Sequence, residues 1–422
     1  GRPLGRVAGQ WFAHRSLDCL SMTTHRTAFS VLRGQTFRVV VLLAIATSVM
    51  HVTRVRGEEK EALVGSRPNI VLIITDDQGY GELACHGNPT IRTPNLDQLH
   101  AESIRFTAFH VSPTCAPTRA SLMTGRHEFR SGVTHTIMQR ERLALDATTI
   151  AQVLSQAGYQ TGIFGKWHLG DEKPYRPAQR GFGESFIHGA GGIGQSYPGS
   201  CGDFPNNSYF DPYVLHNERV EKTTGYCTDV FFNQAMRWIE ASRDRPFFAQ
   251  IATNAPHSPL ICPPEYQEPY ERAGMNKHSA AYYGMITNID KNVGRLLTTL
   301  RQLGLEQRTL VIFMTDNGHT HADLYNAGMR GRKGTPYEGG TRVPAFFRWP
   351  GTLQSGVDIH ALTGAVDVFP TLAELSGATI HIEEPLDGRS LVPLLQDRDA
   401  AWPDRYLFTH LGRWEKGQAA AS

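Results

Sequence analysis

The sequence predicts an α/β fold, a large and mostly parallel sheet sandwiched by helices. Three observations predict it. Apolar, β-branched runs of strand length recur along the chain. Helical patterns lie between them, as in a parallel sheet covered on both faces. Ionisable residues follow directly on four of the runs, at the carboxyl edge where ligands gather in such sheets.

In chain order, residues 39–49 (VVVLLAIATSV) come first, an uncharged apolar stretch behind Arg33 and Arg38 that is too short to span a bilayer. It reads as a secretory signal peptide with Met22 as the start. Export to the periplasm or cell exterior is therefore expected, with no stable membrane insertion. Pro68 then introduces the first strand, NIVLIIT (69–75), and the others are YQTGIFG (159–165), FFAQIAT (247–253), TLVIFMT (309–315) and VPAFFRWP (343–350). Helices are expected over 149–157, 228–241, 280–303 and 366–375. Lys and Arg number 42 against 40 Asp and Glu, a formal charge of only +2, so no basic field exists to hold nucleic acid. Six cysteines (Cys19, Cys85, Cys115, Cys201, Cys227, Cys262) permit disulfides after export, but their spacing fixes no pairing and forms no CxxC zinc pattern.

The chemistry-bearing residues cluster at strand ends. ITDDQGYG (74–81) and MTDNGH (314–319) each close a buried strand with two adjacent oxygen-bearing side chains. Either motif alone is ordinary turn chemistry. Together, Asp76, Asp77, Asp316 and Asn317 make a hard, all-oxygen site suited to Ca²⁺ or, less well, Mg²⁺. In SPTCAPTRASLMTGR (112–126), Pro117 suits the first helical position and Gly125 the end, which places Cys115 just before the helix start. A group there faces unpaired N–H donors that favour a sulfate or phosphate, with Arg119 one turn on. By itself this pattern also fits a low-pKa catalytic thiolate.

CAPTRASLMTGR (115–126) resembles the type I sulfatase signature. From about Pro68 to Leu395 the other parts follow in that family's order: TDDQGYG, GKWHLG, APHSP, TDNG, GRKGTPYEGGTRVP and LDGRSLVPLL. The likeness, greatest to bacterial arylsulfatases, implies an alkaline-phosphatase-like sheet and a sulfuric ester hydrolase acting on aryl or carbohydrate sulfates. It implies that a formylglycine-generating enzyme oxidises Cys115 to Cα-formylglycine during maturation. Asp76, Asp77, Asp316 and Asn317 would then hold one Ca²⁺, with residue 115 completing its shell. Arg119 would stabilise the formylglycine hydrate, Lys166 and Lys333 the sulfate; His257 would protonate the leaving oxygen, and His168 would act as base when sulfate departs. Lys166 and His168 are two apart and project to one side if the segment is extended.

The resemblance also divides the chain into a leader with linker (1–65), a catalytic domain (66–380) and the start of a truncated small C-terminal subdomain (381–422). The expected partners are a sulfated small molecule or polysaccharide. Three readings compete: a phosphate or phosphonate monoester hydrolase, a non-catalytic sulfated-glycan binder with Cys115 unmodified, and a cysteine-thiolate enzyme. Substrate selectivity is expected from loops such as 188–211, which carries Tyr197, Tyr209 and Phe210.

Overall fold

A computed structural model describes residues 63–195, 197–201, 206–382 and 384–412, all within the compact unit Glu61–Ser422. The apolar segment 39–49 lies outside the described residues. Twelve strands are described: β1 (Asn69–Thr75), β2 (Ile104–Phe106), β3 (Phe109–His110), β4 (Gln160–Lys166), β5 (Glu184–His188), β6 (Tyr213–His216), β7 (Arg219–Lys222), β8 (Phe247–Ala252), β9 (Thr309–Thr315), β10 (Ala345–Arg348), β11 (Val357–Ile359) and β12 (Thr363–Gly364). Ten of them form one mixed sheet in the order β11-β2-β10-β9-β1-β8-β4-β5-β6-β7, and β12 pairs with β3 apart from it. The centre, β9-β1-β8-β4, is parallel throughout. β10, β6 and β7 run antiparallel to their neighbours.

β1 shows why the central strands read as unbroken apolar runs. Ile70, Leu72 and Ile74 enter one core while Val71 and Ile73 enter the other, and all five are fully buried. Successive side chains point to opposite faces, so a strand covered on both sides must be apolar at every position. Helices Cys115–Thr124, Ile150–Gln156 and Val368–Ser376 cover the first face; Cys227–Ala241 and Lys277–Gln302 cover the second. The helix Val392–Gln396 adds Leu394 and Leu395 to the first core.

Helix ends follow local chemistry. Thr149 caps Ile150–Gln156 through a reciprocal pair with Gln152. Gly125 ends Cys115–Thr124 at φ 65°. The latter helix starts at Cys115 itself rather than after it, because Thr114 is the extended residue that breaks the helical conformation. Gly165 stands at φ 108°, and a Cβ there would lie 2.0 Å from the Ala252 carbonyl oxygen, so only glycine lets β4 pass β8.

Glu82 is fully buried beside this frame. Burial pushes its carboxyl up to about 8, opposed only by the amides of Gly79 and Glu82. A native pKa above the unfolded value of about 4.3 means that the folded chain keeps a proton the unfolded chain has lost, so stability falls as pH rises from about 4 to about 8. Glu82→Gln is expected to raise the urea midpoint at about pH 9 and to leave it unchanged near pH 4. Equal shifts at both pH values would refute this.

Candidate active site

The four central strands carry the site. β1 and β9 are parallel neighbours whose last residues, Thr75 and Thr315, are register partners. Asp76-Asp77 and Asp316-Asn317 therefore emerge side by side. Asp77 has φ 63°, a left-handed conformation that aspartate tolerates, and its carbonyl accepts a 2.6 Å hydrogen bond from the Tyr282 hydroxyl. The Asp77 amide donates to Asp316 Oδ1 at 3.1 Å, and Asn317 Nδ2 donates to Asp77 Oδ1 at 2.8 Å. Lys166 ends β4, and His257 follows β8. Every site residue singled out by the sequence converges on this edge.

Each carboxylate has its own cation. Lys166 Nζ lies 2.6 Å from Asp76 Oδ2, Lys333 Nζ is bonded to Asp77 Oδ1, and Arg119 Nη2 lies 2.8 Å from Asp316 Oδ2. Arg119 also donates to the Lys166 carbonyl at 3.1 Å, so its guanidinium braces β4 and β9. Burial pushes the Asp76 carboxyl well above the usual range despite Lys166. Burial works the same way on Asp77, but Lys333, His257 and Lys166 hold it well below that range. The Cys115 thiol is 2% exposed; burial alone would raise it, yet Lys166, Lys333 and His168 bring it well below an ordinary thiol. Lys333 Nζ lies 3.7 Å from Cys115 Sγ.

The donor set fits a hard divalent ion. Asp76 Oδ1 and Asn317 Oδ1 are buried without a hydrogen-bond partner, and ligating atoms of Asp76, Cys115 and Asp316 lie within 4.8 Å of one another. Buried oxygens are normally satisfied, so orphaned oxygens on Asp76 and Asn317, at the ends of neighbouring strands, fit residues that would hold a cation.

Above it opens a cleft of about 390 Å³, lined by Asp77, Cys115, Thr136, Ile137, His168, Gly191, Gln195, His257, Ser258, Thr320 and Lys333. Cys115 is its deep end and Ile137, 57% exposed, its rim. His257 Nδ1 lies 2.7 Å from the Ser258 carbonyl, which fixes that nitrogen as the donor and leaves Nε2 3.6 Å from Asp77 Oδ2. Burial lowers the pKa of His257 against the pull of Asp77.

His168 reaches the site by another route than strand alternation. It takes φ 58°, which turns the chain after β4, so Lys166 and His168 do not lie on an extended segment. The ring sits 2.8 Å from the Thr136 carbonyl and 3.2 Å from Glu141 Oε2. Burial and Lys166 oppose its charge, but Cys115 and Glu141 raise its pKa. Glu141, Thr136 and Tyr282 carry no signal in the sequence, since none belongs to a motif. Tyr209 is buried, donating to the His257 carbonyl at 2.8 Å, and supports the histidine instead of lining the cleft. Among the described residues of loop 188–211, Gly191 and Gln195 do so. Among the described residues, His86, His127, His135, His319 and His321 stand outside the cleft lining.

Anionic, cationic and nucleophilic groups gathered at one sheet edge define a hydrolase of charged sulfate or phosphate esters with an alkaline-phosphatase-like fold. The Sulfatase family model matches residues 68–378. Human arylsulfatase A is 37% identical over 364 residues, 79% of this chain and 68% of that protein. Mouse arylsulfatase J is 33% identical, covering 76% of this chain and 55% of its own length. Among solved structures, Ps i-CgsB in complex with k-i-k-neocarrahexaose superposes with a TM-score of 0.73 at 31% identity, over 79% of this chain and 77% of that one. The chain belongs to the sulfatase family and is a sulfuric ester hydrolase.

Proposed function

We propose that this sulfatase cleaves sulfate monoesters with formylglycine made from Cys115, beside one Ca²⁺ held by Asp76, Asp77, Asp316, Asn317 and residue 115. The observation that carries the reading is the grouping of Asp76, Cys115 and Asp316, whose ligating atoms lie within 4.8 Å of one another, with the orphaned oxygens Asp76 Oδ1 and Asn317 Oδ1 beside it at the ends of neighbouring strands. The ion, when bound, would supply positive charge that lowers the pKa of a hydroxyl on residue 115 and offsets charge on the sulfuryl oxygens.

The chain's own residues do the rest. Lys333, already against Cys115 Sγ, and Lys166 neutralise the sulfate; Arg119 fixes Asp316 and the β4 backbone around it. His168, held by Glu141, faces position 115 as the base. His257 stands across the cleft as the proton donor to the departing oxygen, and it draws that proton from solvent as the negative charge of the bound sulfate favours the imidazolium.

A cleft of about 390 Å³ accepts one aryl ring or sugar unit, and the neocarrahexaose bound to Ps i-CgsB supports a sulfated saccharide as substrate. Maturation by a formylglycine-generating enzyme and export to the periplasm or exterior belong to this reading. No described helix is long and apolar enough to cross a membrane. Mass spectrometry of the peptide holding Cys115 from the native host, paired with aryl sulfate and aryl phosphate assays, tests it. An intact thiol, or faster turnover of phosphate, overturns it.

His257→Ala is expected to lower kcat by about 10²–10⁴-fold on a sugar sulfate, whose alkoxide leaves poorly, and far less on nitrophenyl sulfate, whose phenolate needs no proton. Equal losses on the two esters would exclude the donor role.

A further inference from the structure

We propose that Cys85, His86 and His100 form a second metal site, a Zn²⁺ clip between the turn after β1 and the end of the next helix. Ligating atoms of the three side chains lie within 4.8 Å of one another. Bond lengths of ~2.0 Å to nitrogen and ~2.3 Å to sulfur imply ligand spacings of ~3.5 Å in a tetrahedral site, so closure needs a shift of about 1 Å.

The surroundings are organised for binding. The Ala84–His86 turn brings Cys85 and His86 together, and His100 stands in the last turn of Pro94–Ala101. The two segments are locked to each other: the Cys85 amide donates to Asp97 Oδ1 at 2.9 Å, the Ala84 amide to Thr93 Oγ1 at 3.0 Å, and that hydroxyl to Asp97 Oδ1 at 3.0 Å. His86 Nδ1 lies 2.8 Å from the Tyr80 carbonyl and its ring stacks on Tyr80 at 3.9 Å. The carbonyl takes the Nδ1 proton, which leaves Nε2 with a free lone pair, the tautomer a metal requires. A cleft of about 340 Å³ opens on the cluster and shares no lining residue with the cleft over Cys115.

The ligand chemistry selects the ion. One thiol and two imidazoles suit borderline-soft Zn²⁺, whereas the all-oxygen site suits Ca²⁺. A thiol binds metal as the thiolate, so Cys85 would release its proton to solvent on binding. Arg105 lies nearby but is spent on Asp358, at 2.6 Å. Water takes the fourth position in the open cleft.

Titration of the full chain with Co²⁺ as a spectroscopic stand-in tests the site. One equivalent is expected to give a thiolate-to-metal absorption band that Zn²⁺ abolishes by competition. Cys85→Ser should remove the band, His100→Gln should weaken Zn²⁺ binding by about 10-fold or more, and Cys115→Ala should keep both, with circular dichroism confirming that each variant is folded. No band, or a band that survives Cys85→Ser, would overturn the proposal without bearing on the sulfatase reading; a band lost only in Cys115→Ala would overturn it and would in addition show an unconverted thiol at position 115.

Discussion

Cys115→Ala is expected to lower kcat on aryl sulfates by about 10⁴–10⁶-fold, the range seen when a covalent nucleophile is deleted. Stability should change little, because alanine keeps the helix start and the deep end of the cleft loses one atom. The paired carboxylates and cations remain neutralised among themselves. Cys115→Ser separates this mechanism from a plain nucleophile. A serine hydroxyl can accept a sulfuryl group once, but its ester has no second hydroxyl from which His168 could take a proton to expel sulfate, so release then requires attack by water on sulfur. A stoichiometric burst of phenol followed by arrest, with sulfate retained on the peptide that carries the substituted position, is the expected result. Full multiple turnover by the serine variant would show that an aldehyde is not needed.

The sequence makes the centre of this site legible and leaves its supports illegible, for physical reasons. A strand buried on both faces must be apolar at every residue, which is why 69–75 and 309–315 read with the bounds observed for β1 and β9. Short edge strands carry no such constraint. Every residue of β7, Arg219–Lys222, is exposed, so nothing in its pattern marks it as a strand. The helix Lys277–Gln302 begins earlier than the expected 280 because Asn276 caps a polar first turn that lacks the apolar stripe. Likewise the metal-facing acids lie in motifs fixed by strand ends, but Glu141 reaches His168 from a short turn distant in sequence. The positive φ at His168 is equally silent, since an imidazole two residues past a lysine reads as an extended alternation. Convergence is foreseeable where the sheet imposes it, and hidden where a single loop contact does.

Chelation of Ca²⁺ is expected to abolish sulfate turnover reversibly while leaving the chain folded. On the proposed mechanism the ion's charge would be needed only when residue 115 and the sulfuryl group gain negative charge; the resting site already pairs Asp76 with Lys166, Asp77 with Lys333 and Asp316 with Arg119. Removing the ion therefore restores no unpaired buried carboxylate, and the cooperative fold survives. What is lost is binding free energy, about 2.7 kcal/mol when the ion stands at a hundred times its Kd, so the melting temperature should fall by a few degrees on chelation and return with added Ca²⁺. Asn317→Ala, which deletes one orphaned oxygen without touching an ion pair, should raise the Ca²⁺ concentration needed for half-maximal activity and reduce that thermal shift. The pairing with Lys166 and Lys333 adds a constraint: either lysine changed to methionine should leave a buried carboxylate without its cation, so those variants should depend on Ca²⁺ for folding as well as for turnover. Activity indifferent to chelation, with unchanged melting, would remove the cation from the mechanism and leave the two orphaned oxygens without an explanation.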